Sequence, residues 1–71
     1  MSTTLKVVFA AALKERLIEQ GLDEVALESK LDGKVPSLRL TGLLAGEVTP
    51  SVYEAYLIAK GLNIPLDDLV R

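Results

Sequence analysis

The chain has 71 residues, 49% of them hydrophobic but only 4% aromatic, and carries a net charge of −2 with a pI near 4.9. That length makes one domain, near the lower end for a chain that folds without disulfides or a structural metal. The absence of cysteine and histidine removes disulfides, thiolate metal sites, the commonest general base and the commonest metal ligand, so the expectation is no enzyme, no metal and no cofactor.

The opening "MSTTLKVVFAAALKERL" contains the apolar run "VVFAAAL", but "KERLIEQ" continues the helical pattern without a break. It reads as a retained helix rather than a signal peptide, and the chain as cytoplasmic, with no apolar run near the ~20 residues of a membrane span. The first helix is expected over about Thr4–Gln20, capped by Ser2, Thr3 or Thr4. Leu5, Val8, Phe9, Ala12, Leu13 and Leu17 form its apolar stripe, and Gly21 is its left-handed stop.

The second helix opens at Asp23 as N-cap, with Leu22 stapling onto Leu27. Val25 or Ala26, Leu27 and Leu31 point inward, and Gly33 ends it. The third lies in "KVPSLRLTGLLAGE", residues 34–47, where Pro36 suits a first turn, Leu40, Leu43 and Leu44 supply an inner face and Gly46 is the stop. The fourth starts at "TPS", with Thr49 capping and Pro50 in the first helical position. Val52, Tyr56 and Ala59 share one face, flanked by Ala55 and by Leu57 or Ile58, and Gly61 closes it. One of Tyr53 and Tyr56 is expected in the core. The fifth, "IPLDDLVR", has Pro65 near its start and Asp67 and Asp68 in its first turn, where they complement the helix dipole. No segment alternates with period two. The prediction is one all-α domain over residues 1–71, a compact five-helix bundle with short connections.

"GLDEVALESKL", "VPSLRLTGLLAG" and "TPSVYEAYLIAKGLNIPLDDLV", taken in order, resemble the lambda-repressor-like, Cro-type helix-turn-helix domains across roughly residues 5 to 70. The resemblance is most specific in the last third and rests on spacing over the second and third helices. It implies a five-helix domain whose second and third helices form the helix-turn-helix, with the third, about Pro36 to Ala45, entering the DNA major groove. It further implies a small transcriptional regulator of Cro or repressor type, working as a dimer on double-stranded DNA.

Matched by position, Ser37, Leu38 and Gly42 take the places of the family's base-edge readers, with Thr41 beside them. Ser37 and Thr41 can hydrogen-bond a base, Leu38 can meet a thymine methyl, and Gly42 permits close approach. Lys34 and Arg39 are the phosphate candidates, with Lys30 and Lys60 behind them. Leu17 and Leu44 stand where family members often carry an Arg–Glu ion pair, as if the pair had been exchanged as a unit. Glu28 replaces a small residue, and "DGK" lengthens the turn by about two residues.

Other departures move the surface away from DNA. Asp23 and Glu24 occupy the helix end that abuts a phosphate in the family, and Glu47 stands where a cation is common. The pairs Asp67–Asp68 and Glu24–Glu28 lack a third ligand and read as surface charge. The alternative function is therefore a protein-interaction module on a helix-turn-helix fold that has lost DNA binding. That module would bind a protein partner through Leu38 and its neighbours, while the uncovered tyrosine, with Leu38, Val48 and Val7 or Ile18, is expected to form a self-association surface for a homodimer.

Overall fold

A computed structural model describes residues 4–70. It contains five helices and, among the described residues, no strand: α1 (Leu5–Gln20), α2 (Glu24–Lys30), α3 (Ser37–Ala45), α4 (Val52–Leu62) and α5 (Asp67–Val70). The long α1 packs on α3 and α5, while α2 packs on α3 and α4.

Local chemistry sets most boundaries. Thr4 stands at the N-cap of α1 with extended backbone but without a side-chain cap bond; Ser2 and Thr3 lie outside the described residues. Gly21 ends α1 at φ 66°, and the Leu22 N–H donates to the Leu17 carbonyl at 2.9 Å. The Asp23 carboxylate accepts from the Ala26 N–H at 2.8 Å and starts α2. α2 stops at Lys30, ahead of Gly33, because Asp32 turns into the left-handed region at φ 53° and Gly33 follows it there.

Pro36 is the N-cap of α3 rather than part of its first turn, and Gly46 terminates α3 at φ 74°. α4 begins two residues later than its "TPS" suggests. Ser51, not Thr49, is its N-cap: the Ser51 hydroxyl accepts from the Glu54 N–H at 3.1 Å, and the Glu54 carboxylate accepts from the Ser51 N–H at 2.9 Å. This reciprocal capping box satisfies two otherwise orphaned donors. α4 also runs through Gly61 to Leu62 and ends on Asn63 at φ 58°. Gly61 serves packing instead, because a Cβ there would lie 3.0 Å from Leu31 Cδ2.

One core joins all five helices. Phe9, Leu13 and Leu17 enter it from α1, Leu27 from α2, Leu40 and Leu43 from α3, Ala55, Ile58, Ala59 and Leu62 from α4, and Leu69 from α5. Leu31 and Val35 add to it from the connection between α2 and α3. Leu17 is buried and Leu44 packs against the cluster, so both are apolar contributors to the core. Gln20 Nε2 donates to the Leu62 carbonyl at 2.9 Å, tying the end of α1 to the end of α4.

Several apolar residues differ from their expected placement. Of the two alternatives in α2 it is Ala26 that is half-buried and Val25 that is exposed, and Leu5 is exposed in the first turn of α1, outside the shared core. Val52 is exposed for the same reason, and Tyr53 and Tyr56 are 63% and 51% exposed, so neither tyrosine is a core residue. The buried positions of α4 follow a spacing of three and four from Ala55, and both tyrosines fall outside that stripe.

Candidate functional site

Two buried leucines anchor α3 in the core. Leu40 and Leu43 are fully buried, which fixes the helix, while Leu38, on the opposite side, is 87% exposed. Ser37 beside it is exposed, as is Lys34 in the approach to the helix. The Lys34 N–H is held by the Leu31 carbonyl at 3.0 Å. The structure thus brings Lys34, Ser37 and Leu38 together at the start of α3.

Arg39, Thr41 and Gly42 are engaged within the fold. Arg39 Nε donates to Glu54 Oε2 at 2.8 Å and its Nη2 donates to Glu54 Oε1 at 2.5 Å, a bidentate pair between α3 and α4. Nη2 also reaches the Thr49 carbonyl at 3.4 Å. The Thr41 hydroxyl lies 2.9 Å from Glu24 Oε2 and 3.0 Å from the Ser37 carbonyl, so its one proton is shared between two acceptors. Gly42 faces Val48: a Cβ there would lie 3.1 Å from Val48 Cγ2. Its bare backbone gives room to Val48, which in turn packs against the core.

Glu54 is the residue that sequence reading missed. Its side chain is only 15% exposed, and it serves both the capping box and Arg39. The hydrogen bonds from Arg39 are the main reason its pKa falls to about 2; burial opposes the shift, and the Ser51 N–H adds to it. The same partner raises the pKa of Arg39. The signal was present as "SVYE", the serine-x-x-glutamate spacing of a capping box. The "TPS" signal two residues upstream obscured it.

The electrostatics around α3 are uneven. Glu24 of α2 reaches the α3 surface at Thr41, and Asp23 holds the α2 N-terminus. The backbone donor that could meet an external anion there is thus occupied by a carboxylate. Glu47 is exposed in the turn after α3. Lys30, Lys34 and Lys60 line one cleft of about 430 Å³.

Among the described residues no group of three or more His, Cys, Asp or Glu side chains converges as a metal site. None of their helices is long and apolar enough to cross a membrane. Comparison of the chain with family models, with curated proteins and with solved structures gave no match.

Proposed function

We propose that the chain is a lambda-repressor-like helix-turn-helix domain acting as a small DNA-binding regulator, with the start of α3 as its DNA-facing element. The observation that carries this reading is the first turn of α3: Ser37 and the 87%-exposed Leu38 stand clear beside Lys34, while Leu40 and Leu43 hold the helix rigidly behind them. A helix buried on one side and bare at its first turn is suited to a major groove. Ser37 then offers a hydrogen bond to a base edge, Leu38 an apolar contact to a thymine methyl and Lys34 a phosphate contact. Arg39 and Thr41 act by fixing α3 against α4 and α2. A homodimer would place two such helices in successive grooves and occlude a promoter. The exposed Val52, Tyr53 and Tyr56 of α4 give an apolar face for self-association.

A second reading, a protein-docking module, is favoured by a separate observation. The one arginine of α3 is taken by Glu54, and Glu24 brings a carboxylate to its surface, leaving Leu38 as the most prominent group. Fluorescence anisotropy with mixed-sequence duplex DNA, titrated at low salt and again as salt rises, separates the two. Binding that weakens steeply with salt supports the regulator, because released counterions dominate such affinity. No binding at tens of micromolar protein and low salt overturns it in favour of docking through Leu38.

A further inference from the structure

The surface between the α2–α3 connection and the end of α4 has a charge unlike the rest of the chain. Lys30, Lys34 and Lys60 line one cleft together with Leu31, Asp32, Leu57 and Gly61. The cleft therefore carries two net positive charges in a chain whose net charge is −2. Its volume of about 430 Å³ lies within the usual range for small-ligand sites.

The described arginines are spent on internal partners, Arg16 on Glu15 and Glu19 and Arg39 on Glu54. The three lysines of the cleft make no ion pair with any described residue, although Asp32 lines the same cleft. Lys60 Nζ sits 6.0 Å from the centroid of the Tyr56 ring, at the outer limit of a cation–π contact. Carbonyls near the ends of α2 and α4 already have backbone partners. The Leu31 N–H meets the Leu27 and Glu28 carbonyls, the Asn63 N–H meets that of Lys60, and the Ile64 N–H meets that of Ala59.

The walls hold their shape. Gly61 lets α4 approach Leu31 to within 3.0 Å of a would-be Cβ, Leu31 is buried, and the Lys34 N–H closes the turn onto the Leu31 carbonyl. Three ammonium groups are thus carried by a packed junction of α2, its turn and α4.

We infer that this cleft is a phosphate-binding site, formed by Lys30, Lys34 and Lys60, for a ligand carrying at least two negative charges. Ammonium groups bind phosphate as mobile point charges and need no fixed fork geometry, so three in one cleft can surround the group. The phosphate is either that of a free phosphorylated small molecule or that of a DNA backbone lying along α3. Only the second source rests on the regulator reading above.

The test uses the whole chain, its triple variant Lys30→Gln/Lys34→Gln/Lys60→Gln and, as control, Lys14→Gln on exposed α1 surface, with each fold checked by circular dichroism. Inorganic pyrophosphate is titrated by amide NMR, and mixed-sequence duplex by anisotropy across a salt series. If a free phosphate is the ligand, pyrophosphate shifts amides at residues 30–34 and 57–61. Its affinity then falls by more than about tenfold in the triple variant, the equivalent of losing about 1.4 kcal/mol, and is unchanged in Lys14→Gln. If the backbone is the ligand, pyrophosphate leaves the spectrum unchanged, and the triple variant lowers the salt slope of duplex binding by about 3. Binding of both probes unchanged by the triple variant overturns the site, as does failure of the native chain to bind either. Duplex binding that survives the triple variant but not Leu38→Glu, with no pyrophosphate binding lost in that variant, overturns the cleft and keeps the regulator. Pyrophosphate binding without duplex binding does the reverse.

Discussion

Arg39 and Glu54 meet through two parallel hydrogen bonds, Nε to Oε2 at 2.8 Å and Nη2 to Oε1, and so lock α3 to the first turn of α4. An arginine that sequence position marks for phosphate is instead part of the scaffold that holds α3 at its angle. Glu54 is half of the capping box that starts α4, so helix capping and helix orientation depend on one carboxylate.

This pair makes stability depend on acid. The folded-state pKa of Glu54, about 2, lies below its ordinary 4.5. Its contribution is therefore complete above about pH 4.5 and lost as pH falls toward 2. Glu54→Gln should lower stability at pH 7 by about 1.5–3 kcal/mol, in the range of charge-assisted hydrogen bonds. The difference from the native chain should shrink between pH 4.5 and 2. Urea unfolding at pH 7, 4 and 2.5 checks this; a constant difference at all three would refute the role of the pair.

Ser51→Ala removes the hydroxyl that accepts from the Glu54 N–H. It should cost about 1 kcal/mol, or roughly 4–8 °C in Tm for a domain of this size. Thr49→Ala should move Tm by far less, because Thr49 contributes a carbonyl to Arg39 and no side-chain cap. Equal effects from the two would move the start of α4 back to Thr49.

Gly46→Ala places a Cβ on a residue at φ 74°, with the Ala10 Cβ 3.6 Å from the new atom. The left-handed backbone costs an L-residue about 1–2 kcal/mol. Thermal unfolding should show a matching drop, and no drop would mean that α3 ends differently.

Leu38 and Leu43 separate surface from core on one helix. Leu38→Ser should leave stability within about 0.5 kcal/mol and weaken whatever binding α3 performs. Leu43→Ala, at a fully buried position, should cost about 2–5 kcal/mol. A strongly destabilised Leu38→Ser would show that this side chain is covered.

Under the regulator reading, Arg39→Ala and Lys34→Ala should diverge. Lys34→Ala should reduce the salt slope of duplex binding by about 1 at unchanged stability. Arg39→Ala should lower stability and leave that slope intact, because its guanidinium already faces Glu54. The opposite pattern would return Arg39 to the phosphate-facing surface.

Much of the helical framework was legible in the sequence because local chemistry specifies it. Gly21 and Gly46 stop α1 and α3 where the pattern placed them, Asp23 caps α2, and Phe9, Leu13, Leu17, Leu40 and Leu43 follow helical spacing into the core. The errors arose where two local signals competed. Thr49–Pro50 and Ser51 both offered a start for α4, and the capping box decided for Ser51. Gly61 and Asn63 both offered an end, and the close approach of Leu31 assigns Gly61 to packing.

The candidate site was legible as a set of surface residues but not as a set of contacts. From the sequence alone come one domain-sized chain with five helical segments, a core without disulfides, and a greasy, weakly basic third helix, because composition, caps and periodicity act over a few residues. Only the tertiary structure decided that Arg39 belongs to Glu54, 15 residues away, that Glu24 reaches Thr41 across 17 residues, and that Lys30, Lys34 and Lys60 share a cleft. Those pairings depend on how the helices cross, which is set by the packing of the whole core rather than by any one segment.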